Sequence, residues 1–392
     1  MAERDPPAPV RELGNGVYQL PTDYPEVCNA PLWTYLIADG DRFGLIDPGI
    51  TSTLAATLTE AIPAAGFGTG QADLLLATHG HPDHSGGQGS WRDVAPGARI
   101  AAPLEDAAWV ESFDKQWTRF WDDYPGVMDL RDTRDFLAGL CVPEPRVDLL
   151  LRDGDTVAVG SRELTTIETR GHTWGHCAYF DAASGALFTG DAVQGHGVPS
   201  CDGQSVYAPL YVDVAEARWG LRRLLEVPFE LICPAHVPAM PRAEGVAFLQ
   251  DSLTFIDTAD QIAREMVADR APAPLLTREL AARFGETTGT KPPISPQTVA
   301  TARAHLSTAW PERGCWTRRG CPAPADRLRS RPDVTLSRIG PARCDTAPAP
   351  ESASRRWPAR CPDADSPRRR RCPSAHPASP RAAVRAAGSG RT

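Results

Sequence analysis

Thr78-His79-Gly80-His81-Pro82-Asp83-His84-Ser85-Gly86-Gly87 puts three imidazoles and a carboxylate into six positions, as His-x-His-x-Asp-His. A surface turn is served by Gly, Asn, Asp or Ser and has no use for three histidines. Neutral imidazole and carboxylate are common zinc ligands. The chain carries 9 histidines in all, and this concentration marks the loop as part of a metal site. The run Asp73-Leu74-Leu75-Leu76-Ala77-Thr78 before it reads as a buried strand. The ligands then stand at a strand's C-terminal end, where open α/β sheets bind their ligands. Gly86-Gly87 permits a tight turn and a close backbone approach.

One loop cannot complete two metal shells, so partners are sought downstream. Gly171-His172-Thr173-Trp174-Gly175-His176 follows the strand-like Glu163-Leu164-Thr165-Thr166-Ile167-Glu168. Ala186-Leu187-Phe188-Thr189-Gly190-Asp191 ends in a carboxylate, and Leu231-Ile232-Cys233-Pro234-Ala235-His236 ends in a histidine. A lone His or Asp after a strand is usually a cap or a solvated loop residue. Four strand-then-ligand segments in one chain are a pattern.

This set resembles the metallo-β-lactamase superfold over roughly residues 12–240. The resemblance implies a four-layer αββα sandwich of class α/β. It assigns one metal to His79, His81 and His172, the other to Asp83, His84 and His236, and makes Asp191 the bridge. Asp83 and Asp191 are also expected to be the catalytic carboxylates. His176 has no ligand slot and is expected to support the ligands from behind, as is Asp47 in Leu45-Ile46-Asp47-Pro48-Gly49. Acceptors placed so fix histidine tautomers.

Nitrogen and oxygen ligands without thiolate suit zinc, with iron or manganese as alternatives. The expected cofactor is two Zn2+. Two ions about 3.5–4 Å apart can share a hydroxide and clamp a displacement, and coordination lowers the pKa of bound water towards about 7. Hydrolysis is the expected reaction. The Gly-His-Thr-x-Gly-His spacing resembles glyoxalase II and its thioesterase relatives, which implies an activated acyl substrate such as a thioester. Lactonase, β-lactamase-like hydrolase and phosphodiesterase or nuclease are the alternatives. A nucleic-acid-binding protein using the C-terminal module is a rival of another class. A diiron flavoprotein oxygen reductase would need a flavodoxin-like domain, for which the chain has no segment.

The formal net charge is −8, unevenly divided. Residues 1–311 hold 23 Lys and Arg against 42 Asp and Glu, whereas residues 312–392 hold 18 Arg against 7 acids. An acidic catalytic region is a poor match for nucleic acid. Met1 to Pro7 shows no apolar leader, and no run of about 18 apolar residues suggests a membrane span. Cys28, Cys141, Cys177, Cys201 and Cys233 show no paired spacing, which fits reduced thiols and a cytoplasmic protein.

Three regions are expected: a catalytic domain over 1–243, a helical module over 244–310 and a tail over 311–392. Strands are expected at Val17–Leu20, Trp33–Ile37, Phe43–Ile46 and Arg99–Ala102, with a helix from Thr51 to Ala65. Within a helical aromatic lid at about 104–140, Trp109, Phe113, Trp117, Phe120, Trp121 and Tyr124 recur at spacings of three and four. They form either a core stripe or a wall for an apolar acyl substrate. Trp109, Phe113, Trp117, Trp121 and His196 are the candidate pocket residues. Glu244–Asp269, Thr277–Phe284 (capped by Thr277) and a helix opening at Ser295-Pro296 resemble the winged-helix-like module of some lactamase-like hydrolases. A packing or homodimer role is expected of it. The tail is rich in Arg, Pro, Ala and Cys, without apolar periodicity, and is expected to be disordered. It also reads as what a shifted frame gives in a GC-rich gene.

Overall fold

The computed structural model describes residues 10–22, 31–123, 127–200, 206–267 and 273–309. The expectations for the tail, Tyr124, Cys28 and Cys201 fall outside these residues.

Seven strands make the first sheet: β1 (Arg11–Gly14), β2 (Val17–Thr22), β3 (Leu32–Asp39), β4 (Arg42–Ile46), β5 (Ala72–Leu76), β6 (Arg99–Pro103) and β7 (Leu149–Leu151). They neighbour one another in chain order. β1 to β4 are antiparallel, and β4 to β7 are parallel. The chain continues through β8 (Thr156–Val159), β9 (Arg162–Glu168), β10 (Cys177–Asp181), β11 (Ala186–Gly190), the ribbon β12 (Val198–Pro199) and β13 (Val206–Tyr207), then β14 (Leu231–Pro234) and β15 (Met240–Pro241). The second sheet runs β15-β14-β11-β10-β9-β8, parallel only between β11 and β14.

Helices cover both outer faces. The first half carries α1 (Thr59–Ala64), α2 (Pro82–Ser85), α3 (Trp91–Val94), α4 (Ala107–Val110), α5 (Phe113–Arg119) and α6 (Arg134–Gly139). The second carries α7 (Val214–Glu226), α8 (Arg242–Val267), α9 (Ala273–Thr288) and α10 (Pro296–Ala309). This is the αββα sandwich.

Period-2 alternation builds its layers. Leu74 and Leu76 of β5 join Tyr35, Tyr179 and Phe188 in the cluster between the sheets, while Leu75 joins the helix-facing cluster with Leu58 and Ile62. Gly44 lets the sheets close, because a Cβ there would lie 2.6 Å from Val159 Cγ2.

The Thr51–Ala65 expectation resolves into a π-helical turn, Leu54–Leu58, running into α1. The aromatic stripe is likewise not one helix. Ser112 is extended (φ −159°, ψ 116°) and separates α4 from α5; the Phe113 N–H that follows donates to Glu144 at 2.8 Å. Thr277 does not cap α9, which starts four residues earlier with its proline in the first turn, where proline is tolerated. Ser295 does cap α10: its hydroxyl accepts from the Thr298 N–H at 3.3 Å.

The three C-terminal helices share one buried cluster with α7 and the outer face of the second sheet, from Ala178 and Leu187 to Leu249, Phe284 and Leu306. Asp260 of α8 ties this layer together, bonded by Arg218 of α7 and, at 2.6 Å, by His305 of α10.

Candidate metal centre and cleft

The ligand-type residues converge where the two sheets end. β5 delivers His79 and His81, α2 delivers Asp83 and His84, the β9–β10 turn delivers His172, and the ends of β11 and β14 deliver Asp191 and His236. Among the described residues, three groups have ligand atoms within 4.8 Å of one another: His79, His81 and His172; Asp83, His84 and His236; and His79, His84 and Asp191. Asp191 lies between the first two, 3.4 Å from His172 Nε2 and 3.2 Å from His236 Nε2.

Bonds behind the rings decide which nitrogen faces inward. His172 Nδ1 donates to Leu210 O at 3.0 Å, and His236 Nδ1 donates to Pro31 O at 2.6 Å. His84 Nδ1 meets Asp47 Oδ2 at 2.9 Å. The Thr78 hydroxyl donates to Asp47 at 2.8 Å, which leaves it to accept from His79 Nδ1 at 3.0 Å. Each of these four rings thus turns its Nε2 inward. His79 Nε2 and His172 Nε2 stand 3.0 and 2.9 Å from His81 Nδ1.

Burial drives His81 down to about 4 and His172 down to about 3, in both cases against the pull of a nearby carboxylate. His79 lies well below the usual imidazole range, through burial and its histidine neighbours. Burial opposes ionisation of Asp83, but His84 and His236 hold it at about 2. Asp191 is likewise held well below the carboxylate range, by His236, His84 and His172 against burial. Neutral imidazole and ionised carboxylate are the ligand forms.

Lone pairs and carboxylates crowd one buried space. His84 Nε2 and Asp191 Oδ1 have no hydrogen-bond partner, although buried polar groups normally have one. The donor set therefore fits divalent cations.

His176 has no lone pair to offer. Its Nε2 accepts from the Asp191 N–H at 3.1 Å and its Nδ1 lies 2.8 Å from the Thr169 hydroxyl. Its ring stacks on His79 with centroids 4.9 Å apart. Asp47 sits at φ +53°, a left-handed conformation that Asp tolerates better than most residues. Gly190, at φ +48°, is needed where β11 passes Thr78, because a Cβ there would run into the Thr78 hydroxyl.

Three residues escape the sequence reading. Asp106 is 1% exposed and accepts from Gly80 N–H at 3.1 Å, Gly175 N–H at 2.8 Å and the Thr173 hydroxyl at 2.5 Å, so it joins the two histidine loops. Burial raises its pKa despite those three bonds. Gln194 donates to Asp191 at 3.2 Å and accepts from Leu210 N–H at 2.9 Å. Thr301 of α10 bonds Tyr211 N–H and Pro209 O around the residue that orients His172. Asp106 follows the end of β6 closely and so has the same strand-then-carboxylate signal as the ligands, while Gln194 and Thr301 have none.

A cleft of about 550 Å³ opens onto His81, Asp83, His172, Asp191 and His236. Trp121 lines it, but Trp109, Phe113 and Trp117 do not: they are 4, 3 and 8% exposed and pack inward. Phe113 packs tilted against Trp117 with centroids 6.0 Å apart, and Trp109 meets Trp174 edge-to-face at 5.7 Å. His196 is also outside the lining; its side chain is 61% exposed, 3.9 Å from Asp251 of α8. Residues 128–140 and the α9–α10 loop form the walls instead.

Residues 31–236 match the model of the metallo-beta-lactamase superfamily. The chain belongs to that superfamily and is a hydrolase with a divalent-metal site.

It is 30% identical over 243 residues to the acyl-coenzyme A thioesterase MBLAC2 of Gallus gallus, covering 58% of this chain and 79% of that one. It is 30% identical over 247 residues to a hydroxyacylglutathione hydrolase of Cereibacter sphaeroides, covering 61% and 78%. A metallo-beta-lactamase family protein of Thermus thermophilus shares the fold at 21% identity, with TM-score 0.60 over 77% of this chain and 95% of that one.

Proposed function

We propose that this chain is a dinuclear zinc hydrolase acting on acyl thioesters in the cytoplasm. Asp191 carries the reading: it stands between the His79–His81–His172 group and the Asp83–His84–His236 group, at the floor of the cleft. Zinc ions bound there would supply Lewis acidity towards the carbonyl oxygen and a water acidic enough to attack at neutral pH.

The protein's own groups do the rest. Asp83 and Asp191 are held ionised and accept hydrogen bonds from the attacking water. Gln194 fixes the Asp191 carboxylate through its amide. The cleft walls hold the acyl group over the floor and thin the water around it. The thioester class is favoured by the two hydrolases of 30% identity, one named for acyl-coenzyme A and one for hydroxyacylglutathione. The free thiols of Cys141, Cys177 and Cys233 suit a reducing compartment. Among the described residues no helix is long and apolar enough to cross a membrane.

The test is turnover of the zinc-loaded chain on matched thioesters, lactones, β-lactams and phosphodiesters. The reading expects the highest kcat/KM on thioesters. A preference for any other class by tenfold or more overturns it.

A further inference from the structure

The cleft walls come from segments far apart in sequence: Trp121 and residues of Met128 to Leu140 from one, and residues of Thr290 to Gln297 from the other. The second wall lies beyond the region matched by the superfamily, which ends at residue 236. The apolar side chains in these segments are Met128, Leu130, Phe136 and Leu137 on the first and Ile294 with Pro292 and Pro296 on the second. Phe136 is 50% exposed and belongs to no buried cluster. Of the four large hydrophobic side chains exposed among the described residues, it alone lines the cleft. With Met128, Leu130, Leu137 and Ile294 in the same lining, Phe136 adds to an apolar stretch of the cleft that suits an apolar ligand group. Lys291 is the only Lys or Arg among the described lining residues.

We infer that Phe136 and Ile294 are specificity-determining residues that hold a straight apolar acyl chain of several carbons between the two walls. The inference rests on the proposed thioester hydrolysis, since the carbon under attack must sit at the His and Asp floor and its substituent then runs between these walls. A polyanionic carrier finds one cation along them, so selection falls on the acyl part. The cleft, at about 550 Å³, is within the range of small-molecule sites. Each CH2 buried there strengthens binding by up to about fourfold.

The full-length zinc-loaded chain is assayed with acetyl to octanoyl thioesters of one carrier. KM is expected to fall with each added CH2, by up to about fourfold per step. In Phe136→Ala and Ile294→Ala the slope flattens, with the octanoyl substrate losing most and the acetyl substrate least. Length-independent KM in the unaltered chain, or equal losses for acetyl and octanoyl substrates in both variants, overturns the inference. Calorimetric binding of the unreactive octyl thioether of the same carrier separates the two readings. Binding that Phe136→Ala weakens, without thioester turnover, keeps the apolar clamp and removes the thioester reading. Turnover with thioether binding indifferent to both substitutions removes the clamp alone.

Discussion

Asp47 Oδ2 lies 2.9 Å from His84 Nδ1, and that contact turns the other nitrogen of the ring towards Asp83 and Asp191. Asp47 also accepts from the Thr78 N–H and hydroxyl, both at 2.8 Å, so one carboxylate orients His84 on α2 directly and, through Thr78, His79 in the loop after β5. Asp47→Asn is the informative substitution, because Asn tolerates the left-handed backbone at φ +53°. Its amide NH2 would face His84 Nδ1 and push the proton to Nε2. Metal affinity at the Asp83–His84–His236 group is expected to fall about 10- to 100-fold, read by competition with a chelating dye, with the melting temperature nearly kept. Unchanged affinity would show that the ring needs no such support.

Asp106 joins the two histidine loops through three donors. Asp106→Ala strands the N–H groups of Gly80 and Gly175 and the Thr173 hydroxyl. Each buried unsatisfied group costs about 1–3 kcal/mol, so a loss of at least about 3 kcal/mol is expected. Denaturant unfolding at constant m checks it. A loss below about 1 kcal/mol would mean that water reaches these donors.

The seven ligand-type residues were legible because metal chemistry restricts residue type, and strand ends restrict position. The short continuous apolar run Leu74-Leu75-Leu76-Ala77 made β5 legible as a buried strand. Asp106 carries the same strand-then-carboxylate signal, but at a helix start it reads as a cap until tertiary structure shows what it accepts from. The stripe from Trp109 to Trp121 has helical spacing, but spacing does not say which side is inside. Ser112 breaks the helix, and only Trp121 reaches the cleft. The wall from residues 290–297 depends on how α9 and α10 pack, which no local pattern encodes.

Proton competition should separate the two metal groups. His81 and His172, at about 4 and 3, stay neutral down to acid pH. Burial lowers His84 and His236 too, but the carboxylates around them outweigh it, and both are raised. A raised imidazole holds its proton at higher pH, and that proton must leave before a cation binds. As pH falls, the Asp83–His84–His236 group is therefore expected to release its metal first. Metal content measured after equilibration at stepped pH checks the order; simultaneous release, or first loss from the other group, contradicts it.

His172→Ala and His81→Ala should empty one metal position, and Asp83→Ala and His236→Ala the other, leaving about one metal per chain in each case. Asp191→Ala should weaken both. His176→Ala should keep two metals, since both its nitrogens are already bonded to Thr169 and Asp191. Elemental analysis of the purified variants decides it, and loss of a full metal from His176→Ala would reassign that residue as a ligand.

The most direct measurement is thioester turnover during stepwise addition of zinc to the metal-free full-length chain. The account predicts low turnover through the first equivalent and a rise that ends at two equivalents per chain, with Asp191→Ala showing no such rise. Full turnover in the metal-free chain, or a plateau at one equivalent, would contradict a dinuclear centre bridged by Asp191.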